Sequence, residues 1–354
     1  MLRTLIRAAV RRSLRDVRHV RPVAPREARG ATAALHRQLE RDFGVLAPPV
    51  ALLTPAPECA AATWVALRES LLVPRRTGRA AREAVATAVS RENTCPYCVE
   101  VHGATLGVLG AADGGSGGGG SDGGGPWAGL PAPTDPAERA ELGAVVLTFH
   151  HINRLVNVFL PESPLPAFAP PAVRGMLRRA TAATIASGSG RPLAPGAALD
   201  LLPEAALRAP TPPDLAWAAG EPRVLRALTA ATAAVDAAGE RVLTARVRDL
   251  LLRHLGEHGT GPAGVSSSWT DGPLDALPPS ERALGRLALL TARASYQVTD
   301  DTIAACREAG ADDPALVRAV SWAAMAAARQ STHTALTGET GPPHPPPENE
   351  RNHT

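Results

Sequence analysis

The sequence predicts an all-helical protein. Apolar residues make up 45% of the 354 residues but aromatic residues only 3%, so alanine and leucine carry most of the apolar content. These two residues favour helices that pack closely through small side chains. Valine, isoleucine, tyrosine and phenylalanine do not alternate with polar residues over any useful window, so no strand pattern competes. No run of eighteen apolar residues occurs, and no membrane span is predicted.

Composition divides the chain into five segments: a basic arm, a helical domain, a linker rich in proline and alanine, a second helical domain, and a disordered tail. Their ranges are 1–30, 31–160, 161–213, 214–337 and 338–354. A run of glycine and serine at 113–126 interrupts the first helical domain and predicts a flexible loop. The tail is rich in proline and cannot build a core.

The basic arm can form an amphipathic helix. Its predicted apolar side contains Leu2, Leu5, Ile6, Ala9 and Leu14. The linker contains one predicted short helix at about 173–185. A net charge of +3 on this length does not indicate a nucleic-acid partner. Four cysteines do not make a disulfide framework, so we expect a cytoplasmic protein.

The most informative motif joins two thiols, an imidazole and a carboxylate. Cys95 and Cys98 are three residues apart, His102 follows four residues later, and Glu83 lies twelve residues before Cys95. Pro96 suits the first turn of a helix, so one helix should end before Cys95 and another should begin there. Cys95, Cys98 and His102 then share one face of the second helix, and the helix dipole favours the thiolate of Cys95.

Two gapless alignments of the chain with itself, each with its own register, indicate an internal repeat of the helical domain. They pair Arg82 with Arg248, Pro96 with Pro262, and Arg154 with Arg329. The second copy keeps an acid, Asp249, at the position of Glu83, but it lacks both thiols and the imidazole. We therefore predict a degenerate second copy that cannot carry out a redox step.

The spacing Glu-x11-Cys-x2-Cys-x3-His resembles the active-site signature of the carboxymuconolactone decarboxylase superfamily, in its alkylhydroperoxidase D-like branch. The segment 149–157, with Asn153 and Arg154, resembles that family's terminal core helix, and 290–310 resembles its middle helices. The resemblance covers roughly residues 40 to 160 and 215 to 330, and is specific only at the four-residue motif. It implies a bundle of that fold, in two tandem copies.

The resemblance also implies roles. Cys98 would attack a hydroperoxide, Cys95 would close the disulfide, and Glu83 and His102 would relay protons. The activity would be that of a thiol-dependent peroxidase or disulfide oxidoreductase for alkyl hydroperoxides, with no bound cofactor and no metal. Electrons would come from an external dithiol, a lipoyl-type or thioredoxin-type carrier, and the protein would form homo-oligomers.

Other interpretations of these residues stay open. Cys95, Cys98, His102 and Glu83 could ligate zinc, or the two thiols could form an idle disulfide. The chain could be a lactone decarboxylase or isomerase of the same superfamily, although those branches generally lack the dithiol. It could also be a non-catalytic helical scaffold whose motif is vestigial. Outside the motif, we expect structural roles for the histidines and the Asn-Arg pair of segment 149–157, and for two buried thiols, Cys59 and Cys306.

Overall fold

A computed structural model of the chain describes residues 2–112, 127, 133–165, 169–188 and 190–338. Every regular element in these ranges is helical, which confirms the predicted fold class. The predicted glycine-rich loop at 113–126 and the tail after Gly338 lie outside the described residues.

The described ranges contain fifteen α-helices. In chain order they are α1 (Leu2–Ser13), α2 (Gly30–Gln38), α3 (Pro48–Ala51), α4 (Pro57–Leu67), α5 (Arg79–Glu92), α6 (Pro96–Ala112), α7 (Pro136–Phe159), α8 (Pro171–Ser187), α9 (Glu204–Leu207), α10 (Pro222–Glu240), α11 (Ala245–His258), α12 (Asp271–Leu274), α13 (Pro279–Ala294), α14 (Asp300–Glu308) and α15 (Asp313–Thr337). Two π-helical turns, Leu39–Phe43 and Arg68–Leu72, extend α2 and α4.

The longest helices begin at signals that are visible in the sequence. The Asp135 carboxylate accepts hydrogen bonds from the backbone N–H groups of Ala137 and Glu138 at the start of α7. Asp312 does the same for Ala315 at the start of α15. An aspartate before the first turn satisfies N–H groups that have no partner inside the helix, and proline in that turn sacrifices no hydrogen bond.

The two predicted helical domains share one core. Helix α7 of the first packs along α15 of the second, and α4 packs along α10. Among the described residues, the buried apolar side chains form a single continuous cluster across these contacts. Alanine is abundant on the packed faces of α7, α10 and α15, and its small side chain lets helix axes approach closely.

The helix boundaries follow the registers of the predicted repeat. The register that pairs Arg82 with Arg248 also aligns both ends of α5 with both ends of α11, and each helix has 14 residues. The register that pairs Arg154 with Arg329 aligns α7 with α15. These matches favour a tandem duplication, which remains a prediction.

Two elements outside the repeat cover the first domain. Helix α8, in the segment predicted as a linker, packs against α6, and α1 contacts α3 and α8. Ile6 and Leu14 of the arm are buried as predicted, but Leu5 is 62% exposed, so the predicted apolar side is partly wrong. The buried side runs through Ile6 and Val10, one helical turn apart, because those residues face the body of the protein.

None of the helices in the described ranges has the length and apolar content needed to cross a membrane.

Candidate active site

The junction between α5 and α6 places Cys95 at a helix start. The backbone N–H of Cys95 donates to the carbonyl of Ser90 at 3.0 Å, and that of Thr94 donates to Arg91 at 3.0 Å. This pair of bonds is the Schellman pattern, which requires a left-handed residue at the turn. Thr94 occupies that position with φ +50°, a strained conformation for a β-branched residue. The carbonyl of Cys95 accepts from Val99 at 3.0 Å, so α6 starts where the sequence predicted.

The two thiols are near enough to interact but line different spaces. Cys98 and His102 line a mainly apolar cavity of about 90 Å³. Cys95 instead lines an open groove of about 1210 Å³, together with Arg91 and Pro96. Both residues are buried, free cysteines. Cys95 lies at the cap, directly before the first residue of α6.

Glu83 points inward from α5 and is fully buried. Its Oε1 accepts two hydrogen bonds from Arg79, from Nε at 2.8 Å and from Nη2 at 2.6 Å. Its Oε2 lies 2.7 Å from Nδ1 of His102. Burial alone would raise the pKa of Glu83, but Arg79 and His102 outweigh burial and hold this pKa at about 2. Glu83 is therefore a carboxylate at neutral pH.

Two neighbouring side chains, Glu83 and Phe149, fix the orientation of the His102 ring. Because the Glu83 carboxylate can only accept, Nδ1 of His102 must donate to it. Nε2 of a neutral ring is then left as an acceptor. Phe149 of α7 presses against the imidazole at 4.6 Å between ring centroids, with the planes at 88°. The ring is thereby fixed beside the cavity that Cys98 also lines.

The Cys98 thiol needs a base at neutral pH. Burial raises its pKa well above the ordinary value for cysteine, and contact with Cys95 raises it further. His102 lies one helical turn along α6, on the same cavity, and offers Nε2 as the acceptor. Glu83 stabilises the imidazolium that forms when His102 takes a proton. A thiol, an imidazole and a carboxylate, in Cys98, His102 and Glu83, thus follow one another, an arrangement that can support nucleophilic catalysis by the thiol.

The same geometry disfavours a metal site. Glu83 directs both oxygens to Arg79 and His102, so neither is available to a cation that the thiols would also ligate. Across the described ranges, no group of three or more His, Cys, Asp or Glu side chains converges as metal ligands would.

Four further residues that the sequence analysis considered lie in the protein interior and make contacts typical of structural residues: His151, Asn153, Cys59 and Cys306. Nε2 of His151 lies 3.1 Å from the Thr63 hydroxyl, and Asn153 accepts a hydrogen bond from Ser90 at 3.3 Å. Burial raises the pKa of the Cys59 thiol to about 12 and that of Cys306 to about 11, so both are inert at neutral pH. These contacts agree with the structural roles expected from the sequence.

Sequence reasoning missed four contributors to the site. Arg79 was visible as a cation four residues before Glu83, a spacing that brings side chains together on a helix. Phe149 and the covering helices α1 and α8 carried no comparable signal, because their contacts with the site join distant segments. Val10 of α1 and Ile185 of α8 line the cavity of Cys98.

A comparison with known proteins found one strong similarity. The chain is 36% identical over 333 residues to a Mycobacterium tuberculosis protein named alkyl hydroperoxide reductase Rv2159c, a match that covers 90% of this chain and 94% of that protein. No protein-family model matches the chain, and no solved structure does. With this identity over nearly the whole of both proteins, the chain belongs to the family of that alkyl hydroperoxide reductase.

Proposed function

We propose that the protein is a thiol-dependent peroxidase that reduces alkyl hydroperoxides through Cys98 and Cys95. The observation that carries the proposal is the buried contact between Glu83 and His102, which holds an imidazole beside the cavity that a buried thiol also lines. The name of the M. tuberculosis relative supports the same activity. The chemistry also agrees with the alkylhydroperoxidase D-like signature, and we assign the chain to that branch of the superfamily.

In the first step, Nε2 of His102 accepts the Cys98 proton, and the thiolate attacks the terminal oxygen of the hydroperoxide. The O–O bond breaks and an S–O bond forms, so Cys98 becomes a sulfenic acid. The departing alkoxide takes the proton from His102 and leaves as the alcohol. General acid–base assistance of this kind contributes roughly 10²- to 10⁴-fold to the rate.

In the second step, the Cys95 sulfur attacks the sulfenic acid and releases water, which closes a Cys95–Cys98 disulfide. The Cys95 thiol is near enough to raise the pKa of Cys98, and this proximity supports the closure. An external dithiol, of lipoyl or thioredoxin type, then reduces the disulfide with two electrons. Because Cys95 lines the open groove, we expect an incoming dithiol to approach the disulfide from that side.

The cavity favours an organic peroxide. Its lining is mainly apolar, with Leu67, Ile152 and Ile185 among the contributing residues. An apolar substituent on the hydroperoxide gains free energy by leaving water for such a surface, and hydrogen peroxide has no such substituent. We therefore expect a higher kcat/KM for a compact alkyl hydroperoxide, such as the tert-butyl compound, than for hydrogen peroxide.

Single-turnover oxidation of the reduced protein tests the proposal. Cys98→Ser should abolish peroxide consumption, whereas Cys95→Ser should consume one equivalent and accumulate a sulfenic acid that a dimedone reagent traps. Cys306→Ala, a change at a buried thiol outside the motif, should behave as the unaltered protein. Undiminished consumption by Cys98→Ser would sink the proposal and return attention to lactone chemistry or a scaffold.

A further inference from the structure

A second cavity, of about 280 Å³, lies between the two helical domains and is lined by none of the residues that line the apolar cavity of Cys98. From the first domain its lining includes Glu92, Thr94, His150 and Arg154, and from the second it includes Arg293 and Tyr296. Most of the lining residues are polar, and the proposed peroxidase mechanism uses none of these side chains. We name this space the interdomain cavity.

Arg154 is a buried cation with no carboxylate of the described residues at salt-bridge distance, and Glu92 acts on it only from further away. Its side chain donates from Nε to the carbonyl of Ala292 at 2.9 Å, and from Nη1 to the carbonyl of His150 at 2.8 Å. These acceptors are neutral. No carboxylate of the described residues lies within 4 Å of the guanidinium, and none of their atoms accepts a hydrogen bond from Nη2. Burial lowers the pKa of Arg154 to about 10. A charge buried in this way is costly unless an anion meets it.

At the aligned position of the second domain, the arginine is paired with carboxylates. Arg329, the residue aligned with Arg154, is buried to a similar degree. It donates to both carboxylate oxygens of Asp214 at 2.5 Å, and Asp236 lies 3.4 Å away. The framework therefore supplies close carboxylates to one arginine of the aligned pair and only the more distant Glu92 to the other.

The charges around the interdomain cavity sum to a positive value. Arg293 donates to the carbonyls of Gly261 and His258 and contacts His254, and within the described ranges it has no carboxylate partner either. His150 is neutral, because burial and Arg154 lower its pKa well below the ordinary value. Glu92 is the one acid among the described residues of the lining, so two guanidinium groups and one carboxylate leave a charge of about +1 when all three are ionised.

We propose that the interdomain cavity binds a small organic carboxylate carrying one negative charge, with Nη2 of Arg154 as its principal donor and Arg293 as the second cation. The His150 ring supports this geometry. Its Nδ1 accepts from Arg154 Nη1 at 3.3 Å, so the ring proton lies on Nε2. The bound anion would also contact Thr94, the strained residue directly before Cys95, because Thr94 lines this cavity as well.

The test compares carboxylates with neutral isosteres of the same shape. Thermal unfolding of the full chain at pH 7 and constant ionic strength is measured with acetate against acetamide and with benzoate against benzamide. We expect a saturable rise in Tm for the carboxylates and none for the amides. Equal shifts for each pair would overturn the proposal.

Variants identify the site. Arg154→Gln should weaken carboxylate binding by at least about tenfold, since it removes the charge and the donor. Arg226→Gln removes an exposed cation of α10 and should leave binding unchanged. Glu92→Gln removes the opposing charge and should tighten binding by about fivefold. Should Arg154→Gln fail to fold, the Glu92→Gln result still decides, because unchanged or weaker binding in that variant contradicts an anion in this cavity.

Discussion

Replacing Glu83 with glutamine keeps the size of the side chain and removes its charge. An amide nitrogen facing His102 would donate to Nδ1 and move the ring proton to Nε2, so the imidazole could no longer accept the Cys98 proton. An amide oxygen facing His102 would preserve the tautomer but would stabilise the imidazolium poorly. In either orientation we expect kcat/KM for hydroperoxide reduction to fall by roughly 10²- to 10⁴-fold, the range that general acid–base catalysis contributes.

The same change should also destabilise the fold. Glu83 is fully buried and accepts two hydrogen bonds from Arg79 and one from His102. Removing one partner of a buried, hydrogen-bonded ion pair costs about 3 to 5 kcal/mol, because the remaining charge loses its partner without regaining water. A loss of that size in the free energy of unfolding is measurable by chemical denaturation of the reduced protein.

The ionisation of Glu83 should make the free energy of unfolding fall as the pH is lowered. The folded-state pKa is held at about 2, below the ordinary value of 4.5, so the unfolded chain binds a proton first as the pH falls. The contribution is fully present above about pH 4.5 and is lost between that value and pH 2. Its size is about 3 kcal/mol. Glu83→Gln should lack this part of the acid transition.

Stopped-flow peroxide consumption and urea unfolding, both on reduced protein, measure these effects. Asp249→Asn is the matched control: it makes the same chemical change at the aligned position of the second domain, where the carboxylate is exposed. This change should alter neither the rate of peroxide consumption nor the free energy of unfolding appreciably. A Glu83→Gln variant that retains the full single-turnover rate would refute a catalytic role for the Glu83–His102 contact.

The remaining predictions concern backbone and packing. Thr94→Gly should stabilise the protein by about 0.5 to 1 kcal/mol in urea unfolding, because glycine adopts the left-handed conformation without strain and the relief exceeds its entropic cost. Gly239→Ala should destabilise it by about 1 to 3 kcal/mol, because the added Cβ would lie 2.4 Å from the Trp322 ring and would force α10 and α15 apart. Gly110→Ala, in an open stretch of α6, should instead raise Tm slightly, and a loss there comparable to that of Gly239→Ala would contradict the packing argument.

Local rules explain why the site motif was readable in the sequence. Pro96 marks the start of a helix, and the spacings of Cys98 and His102 fix their relative positions on it, because an α-helix has only one geometry. Arg79 and Glu83 follow the same rule on α5. The all-helical fold class was equally readable, since alanine and leucine carry the apolar content and no alternating pattern competes.

Contacts between distant segments could not be predicted from local sequence patterns. Nothing local indicates that α1 and α8 cover the cavity of Cys98, because segments 2–13 and 171–187 reach it only through tertiary packing. The same limit applies to the partner of Arg154. The sequence aligns that residue with Arg329, but only the folded chain brings Asp214 to one arginine and leaves the other facing an open cavity.

The sequence by itself therefore determined the helices, the junction at Cys95 and the identity of the reactive groups, because each depends on residues within a few turns of one another. Tertiary structure decided which groups are buried, which cavity each thiol lines and how Glu83 is ionised. Those properties depend on desolvation and on charges brought from elsewhere in the chain, and spacing along the sequence does not encode them.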